Sequence, residues 1–107
     1  MKQHNEARHR QLALIRQDVN QGRFYQAKAQ LTDLLKADGN DQDAWYLLAV
    51  SQRYLGELDD ALSSLQTLRL LDPGYGRLYQ EMGHCLLAGK ETARAIMAYR
   101  QAVQFNP

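Results

Sequence analysis

Cysteine is nearly absent: Cys85 stands alone among 107 residues. No internal disulfide can form, and a single thiol suits a reducing compartment. No apolar run approaches the roughly eighteen residues that span a bilayer. The polar opening MKQHNEARHRQ lacks the apolar stretch of a signal peptide. A soluble, cytoplasmic protein without a membrane partner is therefore expected. Charge of one sign is also missing, because 13 basic and 12 acidic residues leave a formal charge of +1. That balance lacks the footprint of a nucleic-acid binder, so no nucleic acid is expected as a partner. The middle third is acidic and the ends mildly basic, with two basic residues against five acidic over 42–75 and four against two over 76–107.

Chemistry-bearing patterns are equally thin. His4, His9, His84 and Cys85 lack the spacing of metal ligands, such as two residues four apart on one helix face with a partner pair. The seven glycines form no loop to cradle phosphate, and Gly74 and Gly76 around Tyr75 read as turn residues. Glu81, His84 and Cys85 superficially suggest a cysteine-based catalytic set. Adjacent helical residues point about 100° apart, however, so His84 and Cys85 diverge. Cys85 fits a small buried position better. No catalysis, cofactor or metal is expected.

Strand signals are missing as well, and the only prolines, Pro73 and Pro107, stand near segment ends. Leu, Ala, Gln and Arg are abundant, which favours helix nearly throughout. Trp45, Leu48, Ala49 and Leu55 follow helical spacing, and Leu58, Ala61, Leu62, Leu65 and Leu68 do so again. Gly56 lies between the two sets and tolerates the left-handed backbone that ends a helix, which predicts an antiparallel hairpin. Pro73 then stops the second helix, since it donates no backbone hydrogen bond and disfavours helix at Asp72.

A shift of 34 residues brings the chain into register with itself. Ala27, Ala61 and Ala95 align, as do Leu31, Leu65 and Tyr99; Leu14, Leu48 and Met82; and Asp38, Asp72 and Asn106. Two crossing helices approach closely only where neither carries bulk, which is the use of alanine at one fixed point per unit. Ala49 and Gly83 are the small residues facing them from the first helices. The pattern predicts helices over 6–20, 24–37, 42–55, 58–71, 76–88 and 92–105. A polar lead-in at 1–7 precedes one domain at 8–107, made of units 8–41, 42–75 and 76–107. The lead-in, carrying Lys2, His4, Arg8, His9 and Arg10 against Glu6, reads as a solvated helix start.

These residues resemble the tetratricopeptide repeat. Trp45, Leu48, Ala49, Gln52, Ala61, Leu65, Leu68 and Pro73 match its pattern in the middle unit. Tyr79, Met82, Gly83, Leu86, Ala95, Tyr99, Ala102 and Pro107 match it in the third. The first unit is weaker, with Gln11, Leu14, Ile15, Asp18, Ala27, Leu31, Leu34 and Gly39. Asp18 and Gln52 replace the usual tyrosine, which predicts looser local packing. In the third unit the turn glycine stands at Gly89, with Lys90 in the expected slot.

The resemblance implies an all-α, right-handed superhelical solenoid whose concave side is lined by the first helix of each pair. The expected binding groove holds Tyr46, Arg53 and Tyr54 at its centre, with Arg16, Val50, Arg77, Gln80 and His84 around them. Leu12, Val19, Asp43, Leu47 and Glu81 are expected on or near the same surface. Tyrosine and arginine combine contact area with directed hydrogen bonds at binding hot spots. One subfamily grips a terminal carboxylate, and its positions match Leu12, Arg16, Leu47, Arg77 and Glu81 here. Two cations remain but both asparagine sites are lost and an acid takes the last, so a chaperone-tail clamp is not expected.

The function implied is a protein-interaction module that binds a peptide or partner protein. Two alternatives belong to other classes. One is the amino-terminal module of a larger enzyme, since GRLYQEMGHCLLAGK resembles repeats joined to sulfotransferase-like domains. The other is an oligomerisation scaffold. The chain stops at QFNP, which leaves Ile96, Tyr99, Val103 and Phe105 without a following repeat to shield them. That predicts an excised segment or a homodimer through the last helix.

Overall fold

The computed structural model describes residues 2–105, with side chains from Glu6 onward. Asn106, Pro107 and the side chain of His4 lie outside the described residues. Six helices follow in order: α1 Lys2–Asn20, α2 Phe24–Ala37, α3 Gln42–Tyr54, α4 Leu58–Leu71, α5 Leu78–Ala88 and α6 Thr92–Phe105. Helix α1 begins four residues before the expected start at 6. Helix α5 begins at Leu78 rather than 76, after a further turn in which the Tyr75 carbonyl accepts the Leu78 N–H at 3.1 Å; upstream of it the Asp72 carboxylate accepts the Gly74 N–H at 3.0 Å. One repeat earlier, Asp38 accepts the Asn40 N–H at 3.1 Å in the same way.

Each helix packs on its chain neighbours, and α1 also meets α3, while α3 meets α5. Among the described residues, no such contact joins α2 to α4 or α4 to α6. The odd-numbered helices are thus drawn together while the even-numbered ones fan apart, so the stack curves with α1, α3 and α5 on its concave side. The molecule is elongated, 44 × 26 × 21 Å. Among the described residues, no helix is long and apolar enough to cross a membrane.

The three hairpin turns share one geometry. Gly22 and Gly56 have φ of 79° and Lys90 has φ of 64°. Behind each, the next N–H reaches back five residues along the turn: Arg23 to the Asp18 carbonyl, Glu57 to Gln52 and Glu91 to Leu86, all at 2.8 Å. This is a Schellman closure, which requires left-handed backbone at its centre. Lys90, rather than Gly89, takes that conformation, at a cost glycine would avoid.

Ala27, Ala61 and Ala95 are at most 1% exposed, which lets each second helix press against its first. The facing pair changes size between units, and from the second to the third a smaller residue on the first helix goes with a larger one on the second. Ile15 shares a core cluster with Leu31, Ala49 with Leu65, and Gly83 takes the ring of Tyr99. Trp45 packs against the clusters on both sides of it, together with Leu48 against the first, and its indole N–H donates to the Gly39 carbonyl at 2.8 Å.

Two expectations change. Leu14 aligns with the buried Leu48 yet is 61% exposed, because α1 has no described helix on the side where α2 covers Leu48. Asp18 and Gln52 do not leave loose spots: Asp18 accepts from Arg23 and Gln30 at 3.0 Å each, and the buried Ser64 hydroxyl donates to Gln52 Oε1 at 2.7 Å. Those two bonds from Arg23, first, and Gln30 hold the Asp18 carboxyl below its usual range.

Candidate peptide-binding groove

Two confluent hollows cross the concave side, of about 720 and 640 Å³. They share Val19, Asn20, Tyr46, Val50 and Arg77, so they form one continuous groove over α1, α3 and the start of α5. Of the residues expected there from sequence, Tyr46, Val50 and Arg77 line both hollows. Arg53, Tyr54, Gln80 and His84 line the first and Arg16 the second. Leu12 does not reach the groove; it is 6% exposed and belongs to the core. Leu47 touches the second hollow but is largely buried. Asn20, Gly22, Phe24, Tyr75 and Gly76 also line the groove, from turns and helix ends that a reading of first-helix faces does not reach. Their one signal in the sequence was position beside Gly22 and Gly76, at hairpin and unit boundaries.

Internal pairing decides which groups remain available to a ligand. Glu81 is 3% exposed and lies under Arg53, whose Nε and Nη2 donate to its two carboxylate oxygens at 2.5 and 3.3 Å. The Arg53 guanidinium also sits 4.4 Å from the centre of the Tyr54 ring, and that ring stacks on Phe24 at 4.6 Å with its plane 1° away. Arg53 is therefore a strut between the second and third units before it is a ligand contact. Tyr54 remains 58% exposed despite its stacking.

At the other end, the Tyr75 hydroxyl donates to Asp43 at 2.6 Å and its ring leans on Tyr46 at 5.7 Å. Burial, then the bond to the Asp43 carboxylate, raises the Tyr75 phenol well above its ordinary value. Burial and then the Glu81 charge raise Tyr46, against a hydrogen bond with Arg77 that acts the other way. His84 Nδ1 lies 2.8 Å from the Tyr99 hydroxyl, so its ring is held edge-on against α6. Both carboxylates of the groove are thus engaged, while Arg16 and Arg77 are exposed with no carboxylate within 4.0 Å among the described residues.

Cys85 sits in the core at 1% exposure, apart from the groove. Burial, then the Glu81 carboxylate, pushes its thiol up to about 12, the opposite of what a nucleophile needs. Among the described residues, no three His, Cys, Asp or Glu side chains gather to hold a metal ion.

Stacked helical hairpins, nested through alanine notches and presenting a pre-formed groove on their inner helices, define a helical-repeat scaffold. The tetratricopeptide repeat is the particular kind: models of that family match residues 18–81 and 76–107, and the chain belongs to it. No curated protein matches the chain in sequence. Among solved structures it is similar to the type III secretion translocator chaperone SycD of Yersinia enterocolitica, with a TM-score of 0.86 at 20% identity, over 94% of this chain and 70% of that one. A second structure of SycD, in an alternative dimer, has a TM-score of 0.85 at 21% identity, over 91% and 74%. At such identity the likeness establishes the fold, an all-α, right-handed superhelical solenoid of three hairpins.

Proposed function

We propose that the chain is a cytoplasmic protein-interaction module, with residues 8–107 acting as one three-repeat domain that holds a peptide segment of a partner protein in its concave groove. It performs no chemistry of its own. The observation that carries this reading is the continuity of the groove: Val19 and Val50 offer an apolar floor, while exposed Arg16, Arg77 and Gln80 offer directed polar groups around it. The walls are already locked by the Arg53–Glu81, Tyr75–Asp43 and His84–Tyr99 pairs, so ordering on binding falls mostly on the ligand. Membership of a repeat family defined by packing residues, and a fold shared with a translocator chaperone, support the same reading.

The test is selection of peptides on the full chain from a display library, followed by calorimetry of one selected peptide. Tyr46→Ala and Arg77→Ala are each expected to weaken binding about tenfold or more, the hot-spot range. Leu70→Ala, on the convex α4, is expected to leave it unchanged. Equal affinity for all three variants would remove the groove from the account.

A further inference from the structure

The ionised groups of the groove divide into those engaged with one another and those left over, and those left over are cationic. Asp43 accepts from the Tyr75 hydroxyl at 2.6 Å, and Glu81 lies buried beneath the Arg53 guanidinium. Among the described residues, no other carboxylate lines either hollow. Arg16 on α1 and Arg77 at the start of α5 are exposed, with no carboxylate within 4.0 Å among the described residues. On α3, the helix between those two, Tyr46 is half-buried and its phenol oxygen takes a hydrogen bond from Arg77. Burial keeps that phenol protonated at neutral pH, so its O–H is a donor, and it meets no acceptor among the described residues. Two guanidiniums and a hydroxyl therefore face one space with no anion of their own.

Placement and charge narrow what they meet. Tyr46 and Arg77 line both hollows and Arg16 the second, so the donors gather where the hollows join. A chain lying in the groove continues past them on both sides, and the group they reach is a side chain rather than a chain end. Val19 and Val50 line both hollows as well, which seats an apolar residue beside that group. The second hollow holds Arg16 and Arg77 against Asp43 alone, a surplus of one positive charge. One carboxylate balances the surplus, whereas a phosphate carrying about −2 would leave the hollow negative beside Asp43. With the groove taken as a peptide site, we propose that the junction of its hollows receives the carboxylate of an aspartate or glutamate inside the bound segment, held by Arg16, Arg77 and the Tyr46 hydroxyl, with an apolar neighbour on Val19 and Val50.

The probes are pools of short peptides, capped with fluorescein at the amino end and amidated at the other, with Asp, Asn, Lys or phosphoserine fixed at the centre among apolar and small residues. Each pool is titrated with the full-length chain and followed by anisotropy. The Asp pool is expected to bind about tenfold tighter than the Asn pool, with the Lys pool weaker again. Tyr46→Phe, Arg16→Gln and Arg77→Gln should each cut the Asp preference about threefold to fivefold and leave affinity for the Asn pool nearly unchanged. Arg16→Glu should make the Lys pool the preferred one. Val50→Ala, on the apolar floor, should weaken all pools alike. Binding that falls with Val50→Ala but shows no preference for Asp overturns this inference and leaves the groove standing. Binding by no pool, or binding indifferent to all of these variants, overturns the groove reading and this inference with it. Tighter binding of the phosphoserine pool, or of peptides whose Asp is the last residue with a free carboxylate, overturns the assignment of an internal side-chain carboxylate. A labelled oligonucleotide that outbinds the Asp pool and is weakened by Arg16→Gln overturns it too, and gives the cations to nucleic acid.

Discussion

The contact between Gly83 and Tyr99 carries a prediction whose sign can be reversed. A methyl group built at Gly83 would lie 2.6, 2.7 and 2.8 Å from three carbons of the Tyr99 ring, well inside van der Waals contact. Alanine is the better helix former by about 1 kcal/mol, so sequence propensity alone predicts that Gly83→Ala stabilises α5. Overpacking in a filled core costs about 1–3 kcal/mol. The ring cannot slip aside freely, because its hydroxyl is tied to His84 Nδ1 at 2.8 Å, a bond whose loss costs about 1 kcal/mol. Net destabilisation of about 1–2 kcal/mol is therefore expected, a fall of several degrees in melting temperature for a domain of this size. In a Tyr99→Leu background the pair becomes Ala49 facing Leu65 as in the second unit, and the same Gly83→Ala change should then stabilise by about 0.5–1 kcal/mol. Urea denaturation of the four proteins, with m-values checked for constancy, reads both effects. Stabilisation by Gly83→Ala in the native background would refute the claim that ring size at 99 dictates glycine at 83.

Three further outcomes follow from the turns, the buried ion pair and the thiol. Lys90→Gly should stabilise by about 0.5–1 kcal/mol, since left-handed backbone costs lysine roughly 1–2 kcal/mol and glycine's extra unfolded freedom returns part of it. Gly56→Ala should lose a comparable amount, and chemical denaturation reads both. Arg53→Ala strands the Glu81 carboxylate at 3% exposure and should cost about 3 kcal/mol, much of it recovered when Glu81→Gln is added; additive losses in the double-mutant cycle would contradict the pairing. The Cys85 thiol titrates higher in the folded chain than unfolded, so the unfolded state sheds its proton first and stability falls as pH rises between about 9 and 12. The slope approaches 1.4 kcal/mol per pH unit for that one group, and comparison with Cys85→Ala isolates it from Tyr75, which acts in the same direction.

The unit length, the hairpins and the alanine notches were legible in the amino-acid sequence, because the 3.6-residue helical period and a fixed 34-residue repeat dictate where each side chain points, whereas the inner face was implied by the resemblance to the tetratricopeptide repeat. The bend that draws α1 to α3 and α3 to α5 shows only in the contacts between odd-numbered helices, while Ala27, Ala61 and Ala95 close each hairpin on itself. Direction alone does not say whom a side chain meets. Arg53 reads from the sequence as a groove contact, and only the packed fold shows it committed to Glu81, a residue 28 positions away on the neighbouring helix. Tyr75 finds Asp43 across 32 residues and His84 finds Tyr99 across 15, pairings set by helix crossing and by neither residue's own periodicity. Leu14 and Leu48 occupy one repeat position and differ in exposure, since burial depends on whether another helix is present to cover the site. Lys90 takes left-handed backbone because the closure from Glu91 to Leu86 demands it, whatever residue the position holds. The local period determined the architecture, and contacts between residues a repeat apart decided which surface groups are left for a partner.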